Sequence, residues 1–223
     1  MSRVVRVLAV VAGCLFSTTA RADEPKLLFE EKFTGKLDRD WVWLHEDAKA
    51  WRVEDGTLSI VATGGSMWRS LNNYKNILMR PAPVDLKDGF QFEVLLDNAP
   101  QQQFEHAGIA CRYDDDNYVI LNKEFLGQQE LLMIAEVNAL PLLPGIKQVY
   151  EPREVWLRMT VSKGRVVGHY RAVETDAWLT MGEMALPKSE KPLQIGLIAG
   201  LGKDGREARF RKFRVTELEK EAK

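Results

Sequence analysis

Cysteine and histidine, which often serve as nucleophile, general base or metal ligand, are scarce in this chain. Two cysteines and three histidines (His45, His106 and His169) occur among 223 residues. The histidines are far apart in sequence, and neither His-Glu-x-x-His nor Gly-x-Ser-x-Gly is present. The sequence therefore contains neither a zinc-protease motif nor the nucleophile elbow of a serine hydrolase.

A strong excess of charge is also missing, because the formal net charge is −1. The first 22 residues carry three of the 31 basic residues and none of the 32 acidic ones, which leaves 28 bases against 32 acids in the remainder. This balance argues against nucleic acid or an anionic membrane surface as a partner. No apolar run approaches the roughly 20 residues that cross a bilayer, so we expect no integral membrane span.

Residues 1–22 are typical of a secretory signal peptide. Two arginines precede an apolar run over residues 7–16, and small residues occupy most of 17–22. Cleavage after Ala22 would give an exported protein, periplasmic or extracellular, with one domain over residues 23–223. The sequence Val-Ala-Gly-Cys at 11–14 resembles a bacterial lipobox, so lipid attachment at Cys14 and membrane tethering is the alternative.

Removal of residues 1–22 would leave a single cysteine, Cys111, and hence no intrachain disulfide. Stability must then come from the hydrophobic core, which 223 residues with 45% hydrophobic side chains can supply in one domain. Cys111 alternates with Ala107 and Ile109, and we interpret it as a small buried side chain.

From Leu27 onward, short apolar runs alternate with Gly, Pro, Asn and Asp, and convincing helical periodicity is absent. Asp55-Gly56 lies between two alternating segments, as in a hairpin with a tight turn. Further hairpins are predicted around residues 114–117 and 162–164. About ten to twelve strands at such spacings predict an all-β fold, a two-sheet antiparallel jelly-roll sandwich.

The segment from Phe29 to Val215 resembles the concanavalin A-like domains that follow the catalytic propeller in family 43 β-xylosidases, and related stand-alone domains of the same fold. The matching features are Phe29-Glu-Glu-Lys-Phe33, Trp41, Asp55-Gly56, Glu105-His-Ala-Gly-Ile109, Tyr113-Asp-Asp-Asp-Asn-Tyr-Val119 and Gly196-Leu197. The resemblance implies a concanavalin A-like sandwich and a carbohydrate context. In the xylosidases this domain is an accessory to the propeller, which has no counterpart in this sequence.

Jelly-roll glucanases carry Glu-x-Asp-x-x-Glu on one strand, where two of the acids serve as nucleophile and general acid. The nearest match is Glu174-x-Asp176, with Leu179 at the position of the last glutamate. This motif is broken, so a non-catalytic carbohydrate-binding domain is our first hypothesis.

Polar residues alternate with apolar ones along several strands, and these polar residues predict a ligand-binding sheet face. Aromatic rings stack on the C–H faces of sugars, while carboxylates, amides and guanidinium groups bond their hydroxyls. Trp156 favours this interpretation, because a large aromatic side chain on a wet face needs a partner. The alternative is a solvated face with cross-strand ion pairs. The candidate ligand-binding residues are Arg112, Tyr118, Asn122, Glu124, Trp156, Arg158 and, at the rim, Trp68.

Two further functions stay open at this point. Two of Glu93, Glu124 and Glu136 would make a glycoside hydrolase if their carboxylates lay about 5–5.5 Å apart (retaining) or about 6.5–9.5 Å apart (inverting). The other is a structural or interaction module on the cell surface without a small ligand.

Asp114 and Asp116 belong to an acidic turn, residues 114–117, with the oxygen ligands that Ca²⁺ prefers. The spacing is not that of an EF-hand, and hairpin turns need such residues in any case. A structural Ca²⁺ is therefore the weaker interpretation, and we expect no other cofactor.

Overall fold

The computed structural model describes residues 25–82 and 89–218. The predicted signal peptide and Cys14 lie outside these ranges, as do residues 23–24, 83–88 and 219–223 of the predicted domain. Within the two ranges no helix is long and apolar enough to cross a membrane.

Sixteen strands and no helix occupy the described residues, which confirms the all-β prediction. In chain order they are β1 (Leu27–Glu31), β2 (Val42–Leu44), β3 (Trp51–Glu54), β4 (Thr57–Val61), β5 (Ile77–Pro81), β6 (Phe90–Asp97), β7 (His106–Asp114), β8 (Asn117–Phe125), β9 (Gln129–Val137), β10 (Leu140–Pro141), β11 (Ile146–Val149), β12 (Glu154–Ser162), β13 (Arg165–Arg171), β14 (Leu179–Ala185), β15 (Gln194–Gly200) and β16 (Glu207–Glu217).

The strands form two antiparallel sheets, as expected for a jelly roll. One, which we call the back sheet, has the order β14-β13-β12-β6-β16-β4-β3, with β1 also paired to β16. The other, the cleft sheet, has the order β10-β9-β8-β7-β15-β5-β2, with β11 also paired to β9. Pairs of consecutive strands, such as β7 with β8, alternate with pairs that are distant in sequence, such as β6 with β16 and β7 with β15, so the strand order depends on tertiary contacts.

The three predicted hairpins are present. Asp55 (φ 48°) and Gly56 (φ 75°) connect β3 to β4 with the two consecutive positive φ angles of a type I′ turn. The acidic turn connects β7 to β8, and residues 163–164 connect β12 to β13. The Pro-bearing segment after β9 contains two short strands, β10 and β11, because its backbone pairs with the edge of β9.

The main core lies between the sheets and consists of the inward-facing residues of both. Phe90, Phe92 and Val94 from the back sheet are fully buried, as is Leu121 from the cleft sheet. Cys111 belongs to the same cluster, and burial raises the pKa of its thiol. The interpretation of Cys111 as a small core side chain is confirmed.

Candidate ligand-binding cleft

The cleft sheet is apolar on both faces, which distinguishes it from a sheet with one solvated face. On β8 and β9, the residues that alternate with the core-facing ones point to the outer side of the sheet. They belong to a second apolar cluster, which includes Ile120 and Ile134. The sequence carries a signal for this, because β8 and β9 read as nearly continuous apolar runs over 118–121 and 131–135. Such runs indicate a strand buried on both faces.

An open cleft of about 610 Å³ lies on this outer side, within the size range of small-molecule sites. Loop residues Trp68 and Leu71 contribute one part of its wall, and Phe104, Leu143 and Lys147 contribute others. Its floor is the sheet itself, through Tyr118, Ile120, Asn122, Glu124, Leu132 and Ile134.

The strand register orders the cleft from a polar end to an aromatic end. Directly opposed residues on β7, β8 and β9 form four successive rows, each two residues further along the strands. At about 3.4 Å per residue, the first row lies about 20 Å from the last. The rows are His106, Glu124 and Glu130; Gly108, Asn122 and Leu132; Ala110, Ile120 and Ile134; Arg112, Tyr118 and Glu136.

Glu124 and Asn122 form the polar end of the floor. Asn122 has no exposed surface, and its Nδ2 donates to Glu124 Oε2 at 3.2 Å. The Asn122 Oδ1 atom is buried without a hydrogen-bond partner. Burial raises the pKa of Glu124, an effect that nearby His106 and the bond from Asn122 partly offset. This end of the cleft therefore has an unused acceptor beside a desolvated carboxyl group.

Glu130, which the sequence analysis did not select, lies directly opposite Glu124. Gln128 Nε2 donates to its Oε1 at 2.8 Å, and Lys147 Nζ lies 3.7 Å from its Oε2. The signal that could have found it is Gly127, whose positive φ of 85° marks a short hairpin loop and sets the register of the two glutamates.

Trp68 and Tyr118 lie at the aromatic end of the cleft, and Glu136 is hydrogen-bonded to the loop that carries Trp68. Both carboxylate oxygens of Glu136 accept from the backbone N–H of Arg69, at 2.8 and 3.0 Å. Tyr118 donates its hydroxyl to the carbonyl oxygen of Met67 at 3.3 Å. Burial raises the pKa of Glu136. Its carboxyl group, a predicted catalytic candidate, anchors the loop that carries Trp68.

Arg112 lies on the same face of the sheet, but its guanidinium group is hydrogen-bonded to other side chains of the protein. Its Nη1 donates to Gln194 Oε1 at 3.0 Å, and its Nη2 bonds Asp115. Tyr74, from the loop before β5, donates its hydroxyl to the same carboxylate. Arg112 is 6% exposed and is not among the residues that line the cleft.

Trp156, Arg158 and Glu93 lie on the opposite side of the sandwich, so the single predicted face is divided between two sheets. They project from the outer side of the back sheet, where Arg158 forms an ion pair with Glu93. Trp156 is 2% exposed, and Arg171 and Lys212 lie 5.0 and 5.5 Å from its ring centre. Its partners are cations of the same chain. Alternation gives the side of a strand that is buried, but not the sheet to which the strand belongs.

The three candidate carboxylates do not form a catalytic pair. Glu93 is separated from the others by the core, and Glu124 lies three rows, about 20 Å, from Glu136. That distance exceeds the roughly 5–9.5 Å required by either glycosidase mechanism. On this face the carboxylate beside Glu124 is Glu130.

Asp114 and Asp116 are bonded within the turn that they form. Asp114 Oδ1 accepts from the Asp116 N–H at 3.0 Å and from Asn117 Nδ2 at 2.8 Å. Asp114 Oδ2 lies 2.9 Å from Lys191 Nζ. Across residues 25–82 and 89–218 no group of three or more His, Cys, Asp or Glu side chains is arranged to hold a metal ion. A structural Ca²⁺ at this turn stays the weaker, untested interpretation.

Two antiparallel sheets around one core, with a cleft on the outer side of one sheet, define a concanavalin A-like jelly roll. Residues 30–201 match the family described as the β-xylosidase C-terminal concanavalin A-like domain. The chain belongs to this family, which confirms the resemblance found in the sequence.

Solved structures share the fold at low sequence identity. The GH43 protein BlXynB of Bacillus licheniformis is 20% identical with a TM-score of 0.74, over 85% of this chain and 39% of that one. A functionally unknown protein of Saccharomyces cerevisiae is 20% identical (TM-score 0.63; 80% of this chain, 97% of that one). A laminarinase of Flavobacterium sp. UMI-01 is 11% identical (TM-score 0.60; 86% of this chain, all of that one).

The chain thus spans 39% of the length of the GH43 protein that it resembles, and identities this low establish the fold alone. No curated protein matches the sequence.

Proposed function

We propose that this protein is an exported, non-catalytic domain that binds a saccharide in the cleft, with a sugar residue at the polar end. The observation that carries the proposal is the buried Asn122 Oδ1 atom without a partner, on the cleft floor beside Glu124. An unsatisfied buried acceptor costs about 1–3 kcal/mol, and a ligand hydroxyl would recover that cost by donating to it. Export rests on the signal-like sequence of residues 1–22.

The neighbouring groups suit a sugar. Glu124 is a second acceptor, and His106 and Lys147 line the same end of the cleft. Phe104, which is 52% exposed, also lines the cleft and offers an aromatic surface for pyranose C–H groups. The family description and the carbohydrate-active relatives place similar domains in a carbohydrate context.

Calorimetric titration with xylo-, gluco- and laminari-oligosaccharides tests this proposal. Asn122→Leu keeps a similar volume and removes the amide, so we expect about a tenfold weaker affinity, equivalent to one lost hydrogen bond of about 1.4 kcal/mol. Thr160→Val, on the outer side of the back sheet, is the isosteric control and should bind like the natural protein. Equal affinity in the Asn122→Leu variant contradicts the assigned site. Absence of binding to every oligosaccharide contradicts the function and favours an interaction module.

A second function, glycoside hydrolysis, is favoured by the opposed carboxylates of Glu124 and Glu130. Neighbouring carboxyl groups in different environments are the usual means of separating an acid from a base. Glu124 has a raised pKa, as a general acid requires, whereas Glu130 pairs with Lys147. We place this function second because Glu130 is not among the residues that line the cleft.

Hydrolysis of xylan, glucan and pectin fragments decides this second function. If it operates, Glu124→Gln loses turnover but retains binding, and Glu130→Gln loses turnover as well. Glu183→Gln is the matched control, because that exposed carboxylate lies on β14 of the back sheet, away from the cleft. Absence of turnover by the unmodified protein on every substrate eliminates the hydrolase.

A further inference from the structure

The polar and apolar parts of the cleft are separated along its length. The charged and amide side chains that line it, His106, Asn122, Glu124 and Lys147, all belong to the first two rows or lie beside them. The hydroxyl groups at the other end are engaged by the loop backbone, since Tyr118 donates to Met67 and Ser66 Oγ accepts from the Trp68 N–H. The carboxylate, amide, imidazole and ammonium groups of the cleft lining therefore lie at one end.

The rest of the cleft floor is apolar and offers poor contacts for sugar hydroxyl groups. Ile120, Leu132 and Ile134 are 8%, 8% and 4% exposed and offer no hydrogen-bonding groups from their side chains. A hydroxyl placed over them would lose its bonds to water, which costs about 1–3 kcal/mol on the scale of protein mutations. An unsubstituted oligosaccharide along the whole cleft would incur this desolvation cost at several hydroxyl groups.

The mouth of the cleft is apolar as well. Leu71 and Leu143 line the cleft away from its polar end, and they are 60% and 64% exposed. Isolated exposed leucines are ordinary, but apolar side chains gathered at the mouth of an apolar cleft mark a binding surface.

We propose that the cleft binds an amphiphilic glycoside: one sugar at the Asn122–Glu124 end and an alkyl or aryl substituent along the isoleucine floor towards Trp68. This inference rests on the proposed saccharide-binding function and specifies its ligand class. The length of about 20 Å between the outer rows accommodates a sugar ring followed by a substituent. A ligand hydroxyl at one end can donate to the unpaired Asn122 acceptor, whereas the Ile120 and Ile134 side chains towards the other end offer no hydrogen-bonding groups.

A series of alkyl β-D-xylosides and β-D-glucosides with methyl, butyl and hexyl groups tests the inference, each below its critical micelle concentration. Calorimetry should give affinities that rise about fourfold for each methylene buried, which corresponds to about 0.8 kcal/mol. Trp68 lies in the cleft wall, so its fluorescence should shift with the hexyl compounds and not with the methyl compounds.

Leu71→Ser and Leu143→Ser should each lower the ratio of hexyl to methyl glycoside affinity, because each removes apolar surface that the longer chain would contact. Leu179→Ser is the matched control, because Leu179 is similarly exposed (55%) but lies on β14 of the back sheet. Equal affinity for methyl and hexyl compounds, with oligosaccharides still bound, overturns this inference and leaves the proposed function intact.

Three other results also overturn the inference. The first is an affinity that rises with chain length equally in the natural protein and in all three serine variants, which would indicate non-specific association. The second is a dimer in light scattering that the Leu71→Ser and Leu143→Ser variants dissolve, which would make a second copy the occupant. The third is absence of binding by every glycoside and oligosaccharide, which removes the proposed function as well.

Discussion

Lys123 is a lysine inside the core, and its burial predicts an unusual dependence of stability on pH. The side chain has no exposed surface, and its ammonium group donates to the carbonyl oxygens of Asn98 (2.9 Å) and Pro152 (2.5 Å). These bonds join the end of β8 to the loops that follow β6 and precede β12. Both acceptors are neutral, and burial lowers the pKa of Lys123 from 10.5 to about 8.

The magnitude follows from the two pKa values. Each pKa unit corresponds to about 1.36 kcal/mol, so the gap between 10.5 and about 8 corresponds to about 3.4 kcal/mol. Because the folded pKa is lowered, the folded protein binds fewer protons than the unfolded chain between pH 8 and pH 10.5. The contribution of Lys123 to the free energy of unfolding must therefore rise with pH across this window and stay constant below it.

Urea denaturation of the natural protein and of Lys123→Met between about pH 7 and pH 11 tests the prediction. Methionine has a similar length and no charge, and the other titrating groups cancel in the difference between the two proteins. The free energy of unfolding of the natural protein, minus that of the variant, should rise by about 3 kcal/mol over this range. A difference that stays flat or falls with pH would refute the reasoning.

Three further predictions concern the cleft and its supports. Glu136→Gln should cost about 1–2 kcal/mol of stability and speed hydrogen exchange at the Arg69 amide, because it weakens the anchor of the Trp68 loop; unchanged exchange would contradict this role. Gly108→Ala should cost about 2 kcal/mol or more in urea denaturation, since its Cβ would lie 2.2 Å from the Leu121 carbonyl oxygen, whereas Gly200→Ala makes only ordinary contacts and serves as control. Trp156→Ala should cost about 3–5 kcal/mol yet leave glycoside affinity unchanged, because Trp156 lies on the opposite side of the sandwich; weaker binding by the folded variant would contradict the assigned cleft.

Much of the architecture could be predicted because it depends on local patterns. The Asp55-Gly56 turn and the acidic turn at residues 114–117 lie where short-range backbone preferences put them. The alternation Phe90, Phe92, Val94 marks the buried side of β6, and Cys111 packs in the core as its neighbours indicate. In each case the cause acts over a few residues: turn residues tolerate positive φ, and side chains alternate across a strand.

The candidate site depended on contacts between distant parts of the chain. Alternation placed Trp156 and Tyr118 equally well on an outward face, but β12 pairs with β6 in one sheet and β8 pairs with β7 in the other. Only that pairing put the two aromatic residues on opposite sides of the molecule. It also set Glu130 opposite Glu124, and the loop held by Glu136 completed the cleft wall with Trp68. The sequence by itself thus determined the strands and their buried sides, whereas tertiary structure decided which outward side chains meet, because strand order is set by long-range packing.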